Sequence, residues 1–597
     1  MTRKIIVFLF LGNIFILSKC DAQDLIRPLR ITEKIEANGI MDEPAWDIAP
    51  VISTFTMIDP TPGGKPSYTT EVKLLYNDAF FFVGIKLYDP EPNRLIATAM
   101  ERDSEVENDD NVVMLIDSYK DNLNGIGFAT NPLGARQDFE ISQNGEGMNL
   151  DFNTFWNVAT KTNDDGWIAE FVIPFSSLRF NEKEEVIMGF KVLRNVKRKN
   201  EIVIAPPFDH SIANSYFRLD LAMSIVFENL QCKKPIYFVP YVVADMQESK
   251  YLNTTGDSWE SDYSAMSRNN YFKNPGLDKF LSNVGADFKM GISKNMTIDL
   301  SLNTDFAQAE VDDRIINTSR FNVLLPEKRA FFLEAEDYFN FNMGSTKLFF
   351  SRNIGRKKGI MVPVLGGARL TGQFNGYQIG ALNMQTMGVE SEEIAAENFS
   401  VFRLKKDLYS NGSYIGGILT NRMSLFDNTV SNQVFGTDYM HRFNNKWFSR
   451  GAVSGSVNNS VETPFDQSNM AGHFSLVKLT NKGFSHILSA DYLGENFNPA
   501  LGFMRFNNLT TFNAGNSYSW ITEDHKTIAG YGIESTAMIA INSSTGADEI
   551  YNFNLSPLIR LKNGAAIKLT PADYYQDIYD YSWMMNDDIG VPAGQTH

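Results

Sequence analysis

Residues 551–562 read YNFNLSPLIRLK, and apolar and polar side chains alternate along most of this stretch. A membrane-spanning β-strand needs roughly 9 to 11 residues, with one row of side chains facing lipid and the other facing a polar lumen. Strands of soluble proteins are usually shorter, with about 5 or 6 residues. The stretch therefore predicts a transmembrane β-strand.

The same alternation recurs through the C-terminal two-thirds of the chain. Residues 284–292 and 296–302 alternate on either side of a polar turn, which predicts a long hairpin. Residues 435–443 and 484–492 continue the pattern. We predict an all-β chain in which residues 232–597 form a large antiparallel transmembrane β-barrel of about 14 to 18 strands. A large water-soluble β-sandwich or propeller is the alternative, because its strands alternate as well.

The composition argues against a nucleic-acid partner. The formal net charge is −17, the pI is near 5.0, and no basic stripe is visible. Binding to phosphate requires concentrated Lys and Arg side chains. Aromatic residues make up 13% of the chain and there are 42 glycines, which fits the aromatic girdles and tight turns of a membrane barrel.

Residues 1–22 have the pattern of a secretory signal peptide. Arg3 and Lys4 precede an apolar run, and Ala22 offers a cleavage point before Gln23. The run is too short for a helix that crosses a bilayer, which needs about 20 apolar residues. We therefore predict export through a signal peptide and location in the outer membrane.

Cys20 leaves a second interpretation open, in which this cysteine becomes the acylated N-terminus of a lipoprotein. Lys19 directly before it is unfavourable for that processing. If Cys20 is removed with the signal peptide, Cys232 is the one cysteine left in the sequence. Neither a disulfide framework nor a thiolate metal site is then expected.

Residues 24–225 follow a different pattern. Their predicted strands, such as 80–88 and 111–117, are short, partly continuous in apolar character and bounded by Pro, Gly and Asn. This is the pattern of a β-sandwich whose two sheets bury their inner faces. Its core is predicted to draw on Trp46, Phe55, Phe80, Phe82, Trp156, Trp167 and Phe171.

Residues 37–46, ANGIMDEPAW, resemble the opening motif of the family 9 carbohydrate-binding module. Segments at 70–89, 101–117, 131–138 and 166–175 follow the same family in the same order. The resemblance implies a domain that binds oligo- or polysaccharide. It also implies structural calcium.

Residues 302–356 resemble the uncharacterised domain, called DUF5916, that follows such modules in outer-membrane proteins of Bacteroidetes. The resemblance is carried by DFAQAE at 305–310, PEKRAFFLE at 326–334 and LFFSR at 348–352. It implies a shared architecture and no agreed activity.

Five residues of the predicted sandwich are candidates for contact with a saccharide: Trp156, Asn157, Asp151, Arg136 and Gln137. Sugar-binding sandwiches usually offer an aromatic ring to the apolar face of a pyranose, with polar groups beside it for the hydroxyls. Arg136 and Gln137 follow a turn, where loop side chains can reach a ligand. Two alternatives stay open: Trp156 belongs to the core, and Arg136 and Gln137 belong to a solvated turn.

An acidic run between Glu101 and Asp110 contains the candidates for calcium, Asp103, Asp109 and Asp110. Oxygen ligands at this density can coordinate Ca²⁺ six- to eight-fold. The run lacks the glycine that an EF-hand loop needs at its sixth position. A solvated acidic loop is the alternative.

No catalytic signature stands out in the sequence. There is no HExxH zinc motif, no GxSxG elbow and no P-loop. A glycosidase needs two carboxyl groups about 5 to 10 Å apart, and 71 acidic residues nominate no particular pair. The predicted function is glycan capture or handling at the cell envelope. The alternatives are an O-glycosyl hydrolase of carbohydrate catabolism and a structural envelope protein whose sandwich binds nothing.

Residues 312–341 interrupt the strand rhythm and mix charges of both signs with aromatic side chains. We predict a plug or constriction inside the barrel, and a periplasmic or surface loop held by modest ion pairs is the alternative. The final residues lack the aromatic end that barrel strands usually show. A barrel truncated at its C-terminus therefore stays open as an interpretation, although an open sheet edge is not tolerated in lipid.

Overall fold

The computed structural model describes most of the chain. It covers residues 25–578 and 594–596, apart from residues 34, 151, 179, 181–182, 214, 231–235, 243–246, 253–258, 265–283, 294, 304–321, 326, 335, 358–359, 389–392, 410, 426–429, 460–465 and 523–524. The predicted signal peptide, Asp151 and the first part of the predicted plug lie outside the described residues.

The N-terminal region is a β-sandwich of two sheets, and the strands predicted at 80–88 and 111–117 are confirmed. The first sheet has six strands: β1 (Leu29–Arg30), β2 (Val51–Ile52), β4 (Thr70–Tyr76), β5 (Phe80–Tyr88), β10 (Asn157–Asn163) and β11 (Gly166–Pro174). The second has eight: β3 (Thr56–Asp59), β6 (Asn111–Asp117), β7 (Gly125–Thr130), β8 (Arg136–Ser142), β9 (Gly147–Asn149), β12 (Glu185–Val196), β13 (Glu201–Ala205) and β14 (Met223–Glu228).

The two sheets of the sandwich enclose one hydrophobic core. Val83 and Phe171 reach into it from the first sheet and Phe190 from the second. Trp46 belongs to the helix α1 (Pro44–Ile48), which packs on the outer side of the first sheet. The prediction for Phe80 is wrong: this residue opens β5 and is 37% exposed. The period of two along a strand places its side chain on the outer side of the sheet.

A larger antiparallel sheet of seventeen strands follows the sandwich. Its strands are β15 (Ile236–Val242), β18 (Val284–Ser293), β19 (Met296–Leu302), β22 (Val364–Phe374), β23 (Tyr377–Thr386), β24 (Glu397–Asp407), β25 (Tyr414–Ser424), β26 (Ser431–Arg442), β27 (Trp447–Asn458), β28 (Met470–Lys478), β29 (Gly483–Leu493), β30 (Leu509–Ile521), β31 (Ile528–Asn542), β32 (Asp548–Leu561), β33 (Ala566–Lys568), β34 (Ala572–Ile578) and β35 (Gly594–Thr596). Two small hairpins accompany it: β16 (Gln247–Leu252) with β17 (Trp259–Ser264), and β20 (Arg356–Lys357) with β21 (Ile360–Met361). The all-β class, with a sandwich followed by a large antiparallel sheet, is as predicted.

Alternation along the large sheet turns apolar side chains outward and charged ones inward. In β24, Phe402 is 47% exposed whereas the next residue, Arg403, is fully buried. The strand register places Phe402 beside Leu419 and Leu419 beside Phe435, so that the outward apolar row continues from strand to strand. This arrangement is the reverse of the one in the sandwich.

Between β19 and β22, described residues from 332 to 354 pack on the inner side of the large sheet. The segment between these strands includes the short helix α2 (Ala330–Leu333), and Phe341 and Leu348 pack there against apolar side chains of the inner row. Three cations of the inner row donate hydrogen bonds to backbone carbonyls of this segment. These bonds run from Arg369 to Phe331 and Glu334, from Arg403 to Asn340, and from Lys405 to Asp337.

Helices contribute little else to the fold. Short 3-10 helices occur at Pro92–Arg94, Val106–Asn108, Phe175–Ser177, Lys197–Lys199, Leu219–Leu221, Glu336–Phe339, Ser351–Asn353 and Gln467–Asn469. Across the described ranges, no helix is long and apolar enough to span a bilayer.

The sandwich docks on one end of the large sheet. Thr480 Oγ1 donates to the Ser211 carbonyl at 2.6 Å, and Arg218 donates to the Asn445 carbonyl, also at 2.6 Å. Further contacts join Glu146 to Arg450, Asp121 to Gln373, and Asn200 to the Asn563 carbonyl. The partners in the large sheet belong to hairpin turns or lie in strands near them, so these turns mark the end of the sheet that the sandwich covers.

Candidate functional site

Trp156 lies in the hydrophobic core of the sandwich. Its side chain is 5% exposed, stacks on Phe171 with ring centroids 5.8 Å apart, and meets Phe128 edge-on. The indole Nε1 donates to Asp138 Oδ1 at 3.0 Å. The ring therefore presents no open face to a pyranose, and of the two interpretations of Trp156 the structure has the core one.

The other saccharide candidates surround this tryptophan only in part. Arg136 in β8 donates from Nη1 to the Trp156 carbonyl at 3.1 Å, so the two residues are brought together. Gln137 is half-buried next to Arg136, and Asn157 is exposed at the start of β10. Arg136 is thus hydrogen-bonded to the loop before β10. Trp156 is the one aromatic residue among the saccharide candidates, and its buried ring is not open to a sugar.

Asp138 anchors this loop, although it was not among the predicted residues. Its buried carboxylate accepts hydrogen bonds from Arg102, the Thr154 amide and Trp156, at 2.8, 2.6 and 3.0 Å. Alternation from the buried Trp156 turns the preceding residue, Phe155, outward, where it is 66% exposed. Phe155 is therefore the exposed aromatic neighbour of Trp156 in this loop.

Side chains of the acidic run stabilise the loop before β6 through hydrogen bonds. Asp109 accepts hydrogen bonds from Thr98, Ala99 and Asn131 at 2.7 to 3.0 Å. Burial alone would raise the pKa of Asp109, but these hydrogen bonds outweigh it and lower the pKa below its usual value.

Asp110 and Asp103, the other two calcium candidates, have separate partners. Asp110 accepts from the amides of Ile96 and Lys197, and Asp103 lies 3.5 Å from the Arg102 guanidinium. Within the described part of the chain, no group of three or more His, Cys, Asp or Glu side chains could hold a metal ion. Structural calcium stays a prediction, and the run itself is engaged in hydrogen bonds.

A cavity of about 390 Å³ lies where the sandwich meets the large sheet. The sandwich contributes the loop 152–155 and the strand ends near Ser118 and Glu140. Strands β15, β18, β19, β22 and β23 and the inner segment near Phe331 supply the opposite wall. A cavity of this size falls within the range of small-ligand sites, about 300 to 1,000 Å³.

Two aromatic rings from different parts of the chain meet at the cavity. Phe155 of the sandwich stacks on Tyr237 of β15, with centroids 5.9 Å apart and planes inclined by 22°. Arg369 also lines the cavity, pairs with Asp299 at 2.9 Å and approaches Glu334. Lys289 contacts the same Glu334. The site thus combines a stacked pair of aromatic rings with polar groups whose charges compensate each other.

Comparison with protein families divides the chain as the motifs do. Residues 37–203 match the family described as "Carbohydrate family 9 binding domain-like", and residues 262–363 match the "Domain of unknown function (DUF5916)". No match was found among curated proteins.

Solved structures also resemble parts of the chain. A carbohydrate binding module of family 9 from Caldicellulosiruptor kristjanssonii, in complex with cellotriose, has 17% identity and a TM-score of 0.25, covering 34% of this chain and 92% of its own. OccK7 (OpdD) of Pseudomonas aeruginosa has 6% identity and a TM-score of 0.24, covering 88% and 91%. OccAB2 of Acinetobacter baumannii has 8% identity and a TM-score of 0.25, covering 78% and 90%.

The family matches agree with the resemblances found in the sequence, in identity and in order. The chain carries a domain of the carbohydrate family 9 binding type, followed by a DUF5916 domain.

Proposed function

We propose that this protein binds saccharide at the bacterial envelope, as an outer-membrane β-barrel protein whose N-terminal sandwich supplies the binding domain. The family match of residues 37–203 supports the saccharide part. The outward apolar row of the large sheet supports the membrane part, and it is the single observation that carries the location.

That row is too extensive for a surface in water. Exposed apolar side chains follow one another around the sheet, among them Phe402, Leu419, Val453, Phe474, Phe512, Ile539 and Phe553. Soluble monomers rarely expose contiguous apolar patches larger than a few hundred Å². Buried cations and carboxylates on the inner side complete the inverted pattern of a membrane barrel.

An aromatic girdle at the end nearest the sandwich adds to this support. Exposed aromatic side chains gather beside the hairpin turns there: Phe374, Tyr377, Tyr409, Phe443, Phe484, Tyr518, Trp520 and Tyr531. Trp520 stacks on Tyr531 with centroids 5.1 Å apart. Aromatic rings favour the boundary between headgroups and hydrocarbon, so this girdle would set the edge of the membrane next to the sandwich.

Two experiments test the proposal on the full chain. Membranes of cells that express the protein are washed with alkaline carbonate, and the protein is expected to stay in the pellet. Release into the supernatant would refute the membrane location. Calorimetric titration of the detergent-purified protein with neutral and acidic oligosaccharides is expected to show binding to at least one of them, and no binding would refute the saccharide function.

Two further assays distinguish the alternative functions. Release of shorter sugars during incubation, lost on substitution of one Asp or Glu, would favour an O-glycosyl hydrolase. Copurification of a fixed protein partner without any saccharide binding would favour a structural envelope protein.

A further inference from the structure

We propose that the cavity between the sandwich and the large sheet is a binding site for a short neutral saccharide, built jointly by the two domains. The proposal rests on the proposed saccharide function and adds to it the location of the site and the class of ligand. No residue of this site was among the candidates taken from the sequence.

The size of the cavity limits the ligand. Its volume of about 390 Å³ lies near the lower end of the range for ligand sites. Walls from the sandwich, from the large sheet and from the inner segment surround it. A cavity of this volume has room for one or two sugar units, whereas a polymer chain needs a longer groove.

The aromatic pair gives the site its platform. Phe155 and Tyr237 both line the cavity and stack on each other, so the outer surface of this aromatic pair borders the cavity. The pyranose ring has an apolar face of C–H groups, which gains from burial against such a surface. The loop that carries Phe155 is held by Asp138 and by the Ser177 hydroxyl, which donates to the Phe155 carbonyl at 2.6 Å. The platform is thus fixed before a ligand arrives, which reduces the entropy lost on binding.

The charges of the cavity favour a neutral ligand. Arg369 is paired with Asp299, and Lys289 contacts Glu334, so both cations of the wall are already compensated. Carboxyl side chains outnumber cationic ones among the lining residues. An anionic sugar would meet repulsion without a cation to offset it, whereas the hydroxyls of a neutral sugar can both donate to carboxylates and accept from N–H groups.

The joint construction predicts that one substitution in each domain weakens binding. Phe155→Ala in the sandwich and Tyr237→Ala in β15 are each expected to raise the Kd for cellobiose about tenfold or more, a loss of about 1.4 kcal/mol or more. Phe155→Tyr and Tyr237→Phe keep the rings and are expected to stay within about twofold of the unchanged protein. Titration calorimetry of the full chain in detergent measures all four, and glucuronate is expected to bind more weakly than glucose.

Two matched controls come from the same elements of structure. Phe238 neighbours Tyr237 on β15 and is exposed outside the cavity, and Phe80 is an exposed aromatic residue on the far sheet of the sandwich. Phe238→Ala and Phe80→Ala are expected to leave the Kd unchanged. If the unchanged protein binds cellobiose and Tyr237→Ala binds it equally well, the joint site is refuted while the saccharide function stands. If no saccharide binds the unchanged protein, the proposed function itself fails.

A second inference rests on the connections of the large sheet: we infer that the sandwich faces the periplasm. At the end that the sandwich covers, the connections are short, at 375–376, 408–413, 443–446, 479–482 and 522–527. At the opposite end they are longer in most cases, at 303–363, 387–396, 459–469 and 494–508. Bacterial barrels have short periplasmic turns and longer extracellular loops.

This orientation also restricts the source of the ligand. A saccharide in the cavity would then be one that has already crossed the outer membrane, so a step that cuts polymers into short units must come first.

Two cysteine variants in a Cys232→Ser background test the orientation in intact cells with a membrane-impermeant maleimide. Thr545→Cys, in the connection at the far end, is expected to be labelled, and Lys161→Cys, on the exposed sandwich surface, only after the outer membrane is opened. Labelling of Lys161→Cys in intact cells would overturn the inference.

Discussion

The sandwich and the large sheet use the same alternation of side chains in opposite directions. In β11 of the sandwich, Trp167 and Phe171 point into a core shared by two sheets. In β24 of the large sheet, Phe402 points outward and Arg403 is buried. The hydrophobic effect favours the removal of apolar surface from water. In the sandwich the facing sheet covers the apolar row, and for the large sheet we propose that lipid covers it. A period of two therefore shows where the strands are, whereas the surroundings of the sheet decide which row of side chains lies inside.

The largest effect is expected from breaking a buried ion pair of the large sheet. Arg403 and Asp438 are fully buried and their side chains meet at 2.7 Å. Asp438→Leu leaves the guanidinium buried without its carboxylate, which typically costs about 3 to 5 kcal/mol. Urea unfolding of the detergent-solubilised protein is expected to show a loss of this size.

The matched control removes both charges together. Arg403→Met combined with Asp438→Leu is expected to recover most of the loss, because an apolar pair of similar volume can replace a buried ion pair at little cost. Equal stability of the Asp438→Leu variant and the unchanged protein would contradict the burial of this pair.

The next prediction compares an exposed apolar residue of the large sheet with one of the sandwich. Phe402→Arg places a charge on the outward row of the large sheet, where lipid is proposed. A cost of about 2 to 4 kcal/mol is expected if the position lies near the middle of the bilayer. Folding into lipid vesicles, followed by urea titration, measures it.

The same substitution on the sandwich serves as the control. Met100 is 74% exposed there, and Met100→Arg is expected to change stability by less than about 0.5 kcal/mol, as for most surface positions. If Phe402→Arg were equally harmless in vesicles, the outward row would face water and the membrane location would fall.

The sequence predicts the architecture of the protein more fully than its candidate site. Alternation and turn residues are local, so the hairpin of β18 and β19 is confirmed at its predicted position. The side chain of the aromatic candidate, Trp156, is buried, whereas that of its neighbour Phe155 is exposed. The sequence carried a signal for this, because two adjacent aromatic residues in an extended segment face opposite sides.

The cavity had no local signal at all. Tyr237 belongs to β15 and Phe155 to a loop of the sandwich, and their contact follows from how the two domains dock. That docking depends on hydrogen bonds between loops far apart in the chain, such as the one from Thr480 to Ser211. A pattern read along one strand contains no information on such pairings.

A smaller effect is expected from removing the hydrogen bonds by which the acidic run stabilises its loop. Asp109→Ala removes the acceptor of hydrogen bonds from Thr98, Ala99 and Asn131, and buried donors left without a partner cost about 1 to 3 kcal/mol. Hydrogen exchange of the loop before β6 is expected to become faster. Glu107→Ala, at an exposed position of the same run, is the control and should leave exchange unchanged.

The sign of the pH dependence at Asp109 follows from its lowered pKa. A carboxyl group whose pKa is lower in the folded state stabilises the fold above its unfolded pKa of about 3.9, and the contribution is lost as the pH falls through the folded pKa. The difference in exchange between Asp109→Ala and the unchanged protein should therefore shrink in strong acid. Faster exchange on addition of EDTA to the unchanged protein would instead point to calcium at this loop.

A pH dependence of opposite sign is expected at another carboxyl group of the same domain. Asp117 ends β6 and is fully buried, and burial, together with the charge of Asp121, raises its pKa to about 7 despite the nearby Lys120. Between the unfolded pKa and pH 7 the unfolded chain has lost this proton while the folded chain keeps it, so the stability of the sandwich falls as the pH rises through this window. Asp117→Asn is expected to flatten the slope of the unfolding free energy between about pH 4 and 7. An unchanged slope would mean that the carboxyl group of Asp117 is already ionised in the fold, as that of Asp109 is expected to be.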